Sequence, residues 1–239
     1  MEENSQINVL SPAERQIISK QVVENIRQAI FDGYLKQGEH ITEEKIASEM
    51  KISRGPIREA LVELEREGLV DRKTHKGTFV VNLTKEDIEE IHNLRSVLEQ
   101  LALEYAMRFA TPEDLIEMEK VISEINKSVK EDFNIHKAVE LDLRFHELLV
   151  ESSRFKRVIN YWKNLRSQIK VLLMSRVISF PWVFNERSIS VHNEIIDAIR
   201  RKDIQYGIEV MKRHFDKSFI KDFFKDAEGI VDEGGLTNV

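Results

Sequence analysis

The sequence predicts a mainly α protein in two parts: three helices closed by a β-hairpin, then an all-α antiparallel helical bundle. Three observations predict this. Prolines and glycines are sparse, at 4 and 9 in 239 residues, which favours long helices over many strands and turns. Apolar residues recur at helical spacing through most of the chain. The only strand-like runs flank Thr74-His75-Lys76-Gly77. Hydrophobic residues make up 41%, enough for buried cores, and the 33% of charged residues are mixed in sign, which excludes a disordered chain.

The first helix is expected over Pro12 to Asp32, with Ile18, Val22, Ile26 and Ile30 on one face and Gly33 as its stop. Thr42 is placed to cap a short helix, Glu43 to Met50. After a tight turn at Lys51-Ile52, Ser53 is placed to cap a third helix, Arg54 to Glu67. Pro56 lies in its first turn and Gly68 ends it. Leu69 to Arg72 and Thr78 to Val81 read as the hairpin strands. Three helices and a hairpin make a winged helix-turn-helix. Thr84, with Asp87 three residues on, opens a helix to Phe109, and Thr111-Pro112-Glu113-Asp114 opens the next. Further helices are expected over Asn134 to Glu151, Phe155 to Val177, Trp182 to Arg201 and Ile204 to Lys225. The implied boundaries are 1–82 for the head, 83–226 for the bundle and 227–239 for a frayed tail.

Cysteine is absent, which excludes a disulfide framework and a thiolate metal site. Met1 to Ser11 lacks the basic start and apolar core of a signal peptide, and no run of about 18 apolar residues suggests a membrane span. A soluble, cytoplasmic protein is the expectation.

A net charge of -6 argues against nucleic-acid binding, but the distribution matters more. Lys51 to Val80 holds seven basic and five acidic residues, with the bases at the start of the third helix and in the hairpin. In a helix-turn-helix the second helix of the motif presents its N-terminal residues to the major groove. Here those are Ser53, Arg54, Gly55, Pro56, Ile57 and Arg58. Arg54 and Arg58 share a helix face, and arginine suits both guanine edges and phosphates. Lys73, His75 and Lys76 beside Gly77 form a wing that adds salt-dependent affinity. The bland reading is a packing unit with arginines on its surface.

These residues carry a resemblance. Ile41 to Ala47, Ile52 to Leu61, Glu67-Gly68-Leu69-Val70 and Lys76-Gly77-Thr78-Phe79-Val80 are similar to the GntR family of bacterial transcription regulators. The resemblance implies operator contacts from Arg54, Arg58 and Gly77. Some members add a basic residue in the preceding helix; this chain has Glu44 there, with Lys45 beside it.

In the second part, four polar residues interrupt apolar faces. Asp142 lies with Val139, Phe145 and Leu149, and His146 follows one turn on. His192 lies with Ile195, Ile196 and Ile199, and His214 with Val210 and Met211. A carboxylate on an apolar stripe is costly to bury alone. Asp142, His146, His192 and His214 together make a candidate metal set, suited to Zn or Ni first and then Mn or Fe. A lone inward histidine is more often a hydrogen-bonded core residue. His40, His75, His92 and His136 are not counted as ligands.

Asp142-Leu143-Arg144-Phe145-His146, with His192 and His214, resembles the metal-binding FCD effector domain of the FadR-type branch; six helices suit its VanR-type subdivision. Arg95, between Ile91, Leu98 and Ala102, is either half of an ion pair with Glu99 or a clamp on an organic acid. The resemblance favours the clamp and implies a small carboxylate effector. The expected protein is not an enzyme. It is a homodimeric repressor on double-stranded DNA, with no membrane partner and an operator affinity set by that effector. The rivals are a metal-dependent hydrolase, for which Glu147 and Glu194 lack the spacing of a general base, and a regulator whose metal is purely structural.

Overall fold

The computed structural model describes residues 12–131, 134–179 and 186–216. Helix α1 (Pro12–Phe31), α2 (Glu43–Met50) and α3 (Arg54–Arg66) lead into the hairpin β2 (Val70–Lys73) and β3 (Gly77–Val80). A two-residue strand, β1 (His40–Ile41), completes a sheet of order β1-β3-β2, antiparallel throughout. The sequence leaves β1 unassigned because two residues carry no periodicity. Its pairing of Ile41 with Thr78 is a tertiary contact.

Thr42 and Ser53 take the N-cap positions of α2 and α3 with extended backbones, but neither side chain accepts a cap hydrogen bond, so they act as caps by position only. At the other end of α3, the amides of Gly68 and Leu69 bond to the carbonyls of Glu65 (3.0 Å) and Leu64 (2.9 Å). This is a Schellman ending, and Gly68 takes the left-handed conformation it needs, at φ +67°. The turn sends Leu69 into the core with Val22 and Ile26 of α1 and Ile57, Leu61 and Leu64 of α3. Burying each such side chain contributes about 1.5–3 kcal/mol.

Six helices follow among the described residues: α4 (Lys85–Phe109), α5 (Pro112–Glu131), α6 (Ile135–Ser152), α7 (Lys156–Ser179), α8 (Glu186–Arg201) and α9 (Ile204–His214). Packing divides the chain into units 1–82 and 83–239. Thr84 opens α4 with a full capping box: its hydroxyl accepts from the Asp87 amide (3.2 Å) and the Asp87 carboxylate accepts from the Thr84 amide (2.8 Å).

α6 is apolar on two sides, and each side feeds a core. Phe145 and Leu149 pack with Met118, Ile125, Ile195 and Met211, while Val139 and Leu143 pack with Leu98, Trp162 and Ile169. α9 lies close on α4 because Gly207 has no side chain; a Cβ there would come within 2.7 Å of Met107 Cε.

α9 departs from expectation. It ends at His214, and the part of the expected helix from 217 to 225 lies outside the described residues. Phe215 leaves helical geometry, and Nε2 of His92 on α4 donates to its carbonyl at 3.2 Å. The bond is between residues far apart in sequence, so helical periodicity gives no sign of it. The expected start of α8 at Trp182 and the expected tail at 227–239 lie outside the described residues. No helix among the described residues is long and apolar enough to cross a membrane.

Candidate functional site

In the head, the start of α3 faces solvent: Ser53, Arg54, Gly55 and Arg58 are exposed. Pro56, expected beside them, is buried, and its carbonyl accepts from Ser19 on α1 at 3.4 Å, so it is a packing residue rather than a surface one. Both arginines are paired with α2. Nη1 of Arg54 lies 2.7 Å from Glu44 Oε1, and Nε of Arg58 donates to Glu43 Oε2 at 2.8 Å. The wing residues Lys73, His75, Lys76 and Gly77 are exposed. Gly77 sits at φ +102°, and a Cβ there would collide with Nε2 of His40, whose ring rests on Phe79 with centroids 4.9 Å apart. A side chain at that position would be strained by the backbone and would require the exposed His40 ring to move.

In the bundle, α6, α8 and α9 bring Asp142, His146, His192 and His214 together. Nε2 of His146 lies 3.2 Å from Nε2 of His192 and 3.1 Å from Nε2 of His214. Asp142 Oδ1 lies 3.3 Å from His192 Nε2 and 3.9 Å from His146 Nε2. Asp142, His146 and His192 are buried and His214 is partly buried. On the far side of the His146 ring, Nδ1 lies 2.6 Å from Glu99 Oε2. The two atoms are in close contact outside hydrogen-bond geometry, and a carboxylate so placed beside the ring is of the kind that orients a ligating histidine.

Asp142 sits beside Arg95 and among polar hydrogen-bonding groups. Burial works against its ionisation, but His146, His192 and Arg95 outweigh it and hold the carboxyl well below the usual carboxylate range. Glu99 is held down in the same way, burial being outweighed by Arg95 and His146. Burial pushes the His146 and His214 imidazoles below their ordinary pKa. Ionised carboxylates and neutral imidazoles are the forms that bind metal. Three imidazole nitrogens within 4.8 Å of one another fit a divalent cation of nitrogen preference, and Asp142 Oδ1 beside His192 and His146 offers an oxygen at the edge of the group.

Arg95 is in fact ion-paired: its Nε donates to Glu99 Oε1 at 2.8 Å. Its Nη2 is buried, lies 3.6 Å from Asp142 Oδ2, and has no hydrogen-bond partner among the described residues. The guanidinium lies over the Phe215 ring, 5.4 Å from its centroid. Three further residues belong to this centre. Glu99 also accepts from Trp162 Nε1 at 2.9 Å. His92 holds the end of α9 beside His214. Arg176 of α7 is half-buried, and burial lowers its pKa despite the pull of Asp142. The sequence signal for Arg176 was the one used for Asp142: a charge interrupting Leu172, Leu173 and Val177. Glu147 and Glu194 engage Lys163 and Arg213 (3.7 and 2.6 Å).

The family profiles that match the two units mark the chain as a DNA-binding transcription regulator rather than an enzyme. The chain belongs to the GntR family: the profile of bacterial regulatory proteins of the gntR family matches residues 18–80, and that of the FCD domain matches residues 90–217. It is 30% identical to the HTH-type transcriptional regulator YdhC of Bacillus subtilis (strain 168), over 82% of this chain and 86% of that protein. It is 29% identical to the gluconate operon transcriptional repressor of Bacillus licheniformis, over 80% and 79%. Among solved structures, McbR/YncC of E. coli superposes with a TM-score of 0.69 at 18% identity, covering 88% of this chain and 98% of that one. A GntR protein of Rhodococcus sp. RHA1 gives 0.67 at 21%, covering 91% and 99%. The two structural likenesses are of fold.

Proposed function

We propose that this regulator is a homodimeric repressor whose grip on a two-fold operator is controlled by a small carboxylate bound in the helical unit. Arg54, Arg58 and the Gly77 wing, with Ser53, Gly55 and Lys76 beside them, contact DNA. Asp142, His146, His192 and His214 hold a divalent cation, and Arg95 holds the acid.

The convergence of three Nε2 atoms, with the Asp142 carboxylate beside two of them and the buried Arg95 Nη2 ion-paired to Asp142 at 3.6 Å without a hydrogen bond, carries the reading. A buried guanidinium donor without an acceptor is costly, and a carboxylate oxygen is its natural complement. A cation, when bound, supplies a Lewis-acid centre for the same carboxylate. Arg95 orients the acid, and Glu99 holds Arg95 and His146 in register. Arg95 lies on α4, which begins five residues after the last residue of β3, so displacement of α4 has little slack to absorb it. Effector binding shifts the operator equilibrium only by its differential affinity for the two states.

The outer face of α4 supports the dimer. Opposite its buried face, Leu94, Val97, Leu101 and Phe109 are 45%, 62%, 38% and 48% exposed. Tyr105 stacks on Phe155 in the same region, with centroids 3.7 Å apart. A helix apolar on both faces marks an interaction surface.

The test has two measurements on the full-length protein. Elemental analysis is expected to find metal that Asp142→Ala loses. Titration with small mono- and dicarboxylates is expected to change affinity for a duplex selected from a random-sequence pool, and Arg95→Ala to abolish the response. Full metal content in Asp142→Ala refutes the centre. If removing metal melts the bundle and no acid alters DNA binding, the metal is structural only.

A further inference from the structure

Both arginines expected to read DNA are neutralised in advance. Arg54 is paired with Glu44 and Arg58 with Glu43, and the two acids are consecutive residues in the first turn of α2. The helix dipole accounts for acids at that end of α2. It does not account for each of them reaching a different arginine on the neighbouring helix.

From this pairing we infer that Glu43 and Glu44 are specificity-determining residues: they screen Arg54 and Arg58 from the phosphate backbone while leaving both able to donate to a base edge. The inference rests on the proposed placement of Arg54 and Arg58 at DNA.

The physical basis is the different charge of the two competing targets. Phosphate is anionic, and non-specific binding comes almost entirely from neutralising it. A guanidinium–carboxylate pair has no net charge, so it gains little from a phosphate and its carboxylate is repelled by it. The guanine edge offers O6 and N7, neutral acceptors that attract the remaining N–H groups without repelling the glutamate. The pairing at Arg58 uses Nε, so both terminal nitrogens stay free for such a bidentate contact. The pairing at Arg54 uses Nη1 and leaves Nη2. The glutamates also limit how far each side chain wanders before it meets DNA. Both pairs are exposed, so each is worth roughly two- to fivefold in an equilibrium. That is enough to set a specificity ratio without blocking binding.

The experiment compares full-length wild type with Glu43→Gln, Glu44→Gln and the double variant. Affinity is measured for a duplex selected from a random pool and for a scrambled duplex, over a range of salt. Glutamine keeps the helix propensity of α2. For the double variant, affinity for the scrambled duplex is expected to rise about tenfold. Its salt slope should steepen by about 0.9 for each arginine released. The selected duplex should gain less, so the ratio falls. Glu49→Gln, which removes a like charge from the exposed far end of α2, should leave the ratio near that of wild type. Equal gains on both duplexes, no gain on either, or the same fall from Glu49→Gln would overturn the inference. Arg54→Ala and Arg58→Ala separate the two levels. If they leave the selected duplex bound as before, the placement of the arginines at DNA fails. If they abolish binding while the glutamine variants change nothing, only the role of the glutamates fails.

Discussion

Nδ1 of His146 lies 2.6 Å from Oε2 of Glu99, with both side chains wholly withdrawn from solvent. Through Glu99, that contact joins the cluster on α6, α8 and α9 to Arg95 on α4 and Trp162 on α7. The carboxylate lies against the Nδ1 side of the imidazole, while Nε2 faces His192 and His214.

Glu99→Gln keeps the volume and removes the charge. Metal affinity is expected to fall about 10–100-fold, as for other partners that orient a ligating histidine. Competition against a chromophoric chelator measures it, and wild-type affinity would exclude this role for Glu99. The same variant leaves Arg95 without its closest counter-charge, so stability should drop by about 3–5 kcal/mol in urea titration.

The metal-free protein should lose stability as pH falls through the histidine range. His146 and His214 are held neutral by burial, below the ordinary value of 6.5. Below that value the unfolded chain binds protons that the folded chain refuses, so stability rises with pH and levels off above about 6.5. Two such groups give a slope of at most about 2.7 kcal/mol per pH unit. A second loss follows at lower pH, where Glu99 and Asp142, ionised in the fold, take up protons on unfolding. Urea midpoints that stay flat between neutral pH and pH 5 would contradict the first step.

Val97→Glu places a charge at the centre of the exposed α4 face, where Val97 is 62% exposed. The monomer should fold with stability changed by less than about 0.5 kcal/mol. Its elution should shift to the monomer position in size-exclusion chromatography with light scattering. A variant that elutes as a dimer would remove α4 from the interface.

Gly77→Ala should disorder the wing. The residue sits at φ +102° with Nε2 of His40 where a Cβ would go. The strain costs about 1–3 kcal/mol and falls on the β1–β3 edge. Thermal melting should register the loss, and DNA affinity should weaken at low salt. An unchanged melting temperature would mean that the His40 ring turns aside without cost.

The elements that repeat along the chain were legible in the residues alone. Helices α3 to α7 follow from apolar spacing and from caps such as Thr84 with Asp87. The hairpin follows from two β-prone runs around Gly77. Asp142, His146, His192 and His214 were legible because a polar group on an apolar helix face stands out against its neighbours. Periodicity is local, and it says nothing about partners distant in sequence. Only the tertiary structure decided that β1 pairs with β3, that Pro56 turns inward, and that α9 stops where His92 takes the Phe215 carbonyl. It also decided which acid meets which base. Glu99 reads in the sequence as a partner for Arg95, and the fold gives it His146 and Trp162 as well. Glu43 and Glu44 read as the acids of a helix start, and the packing of α2 on α3 sets them against Arg58 and Arg54. Side-chain charge is written in the sequence, but its electrostatic effect depends on distance and burial, and the fold determines both.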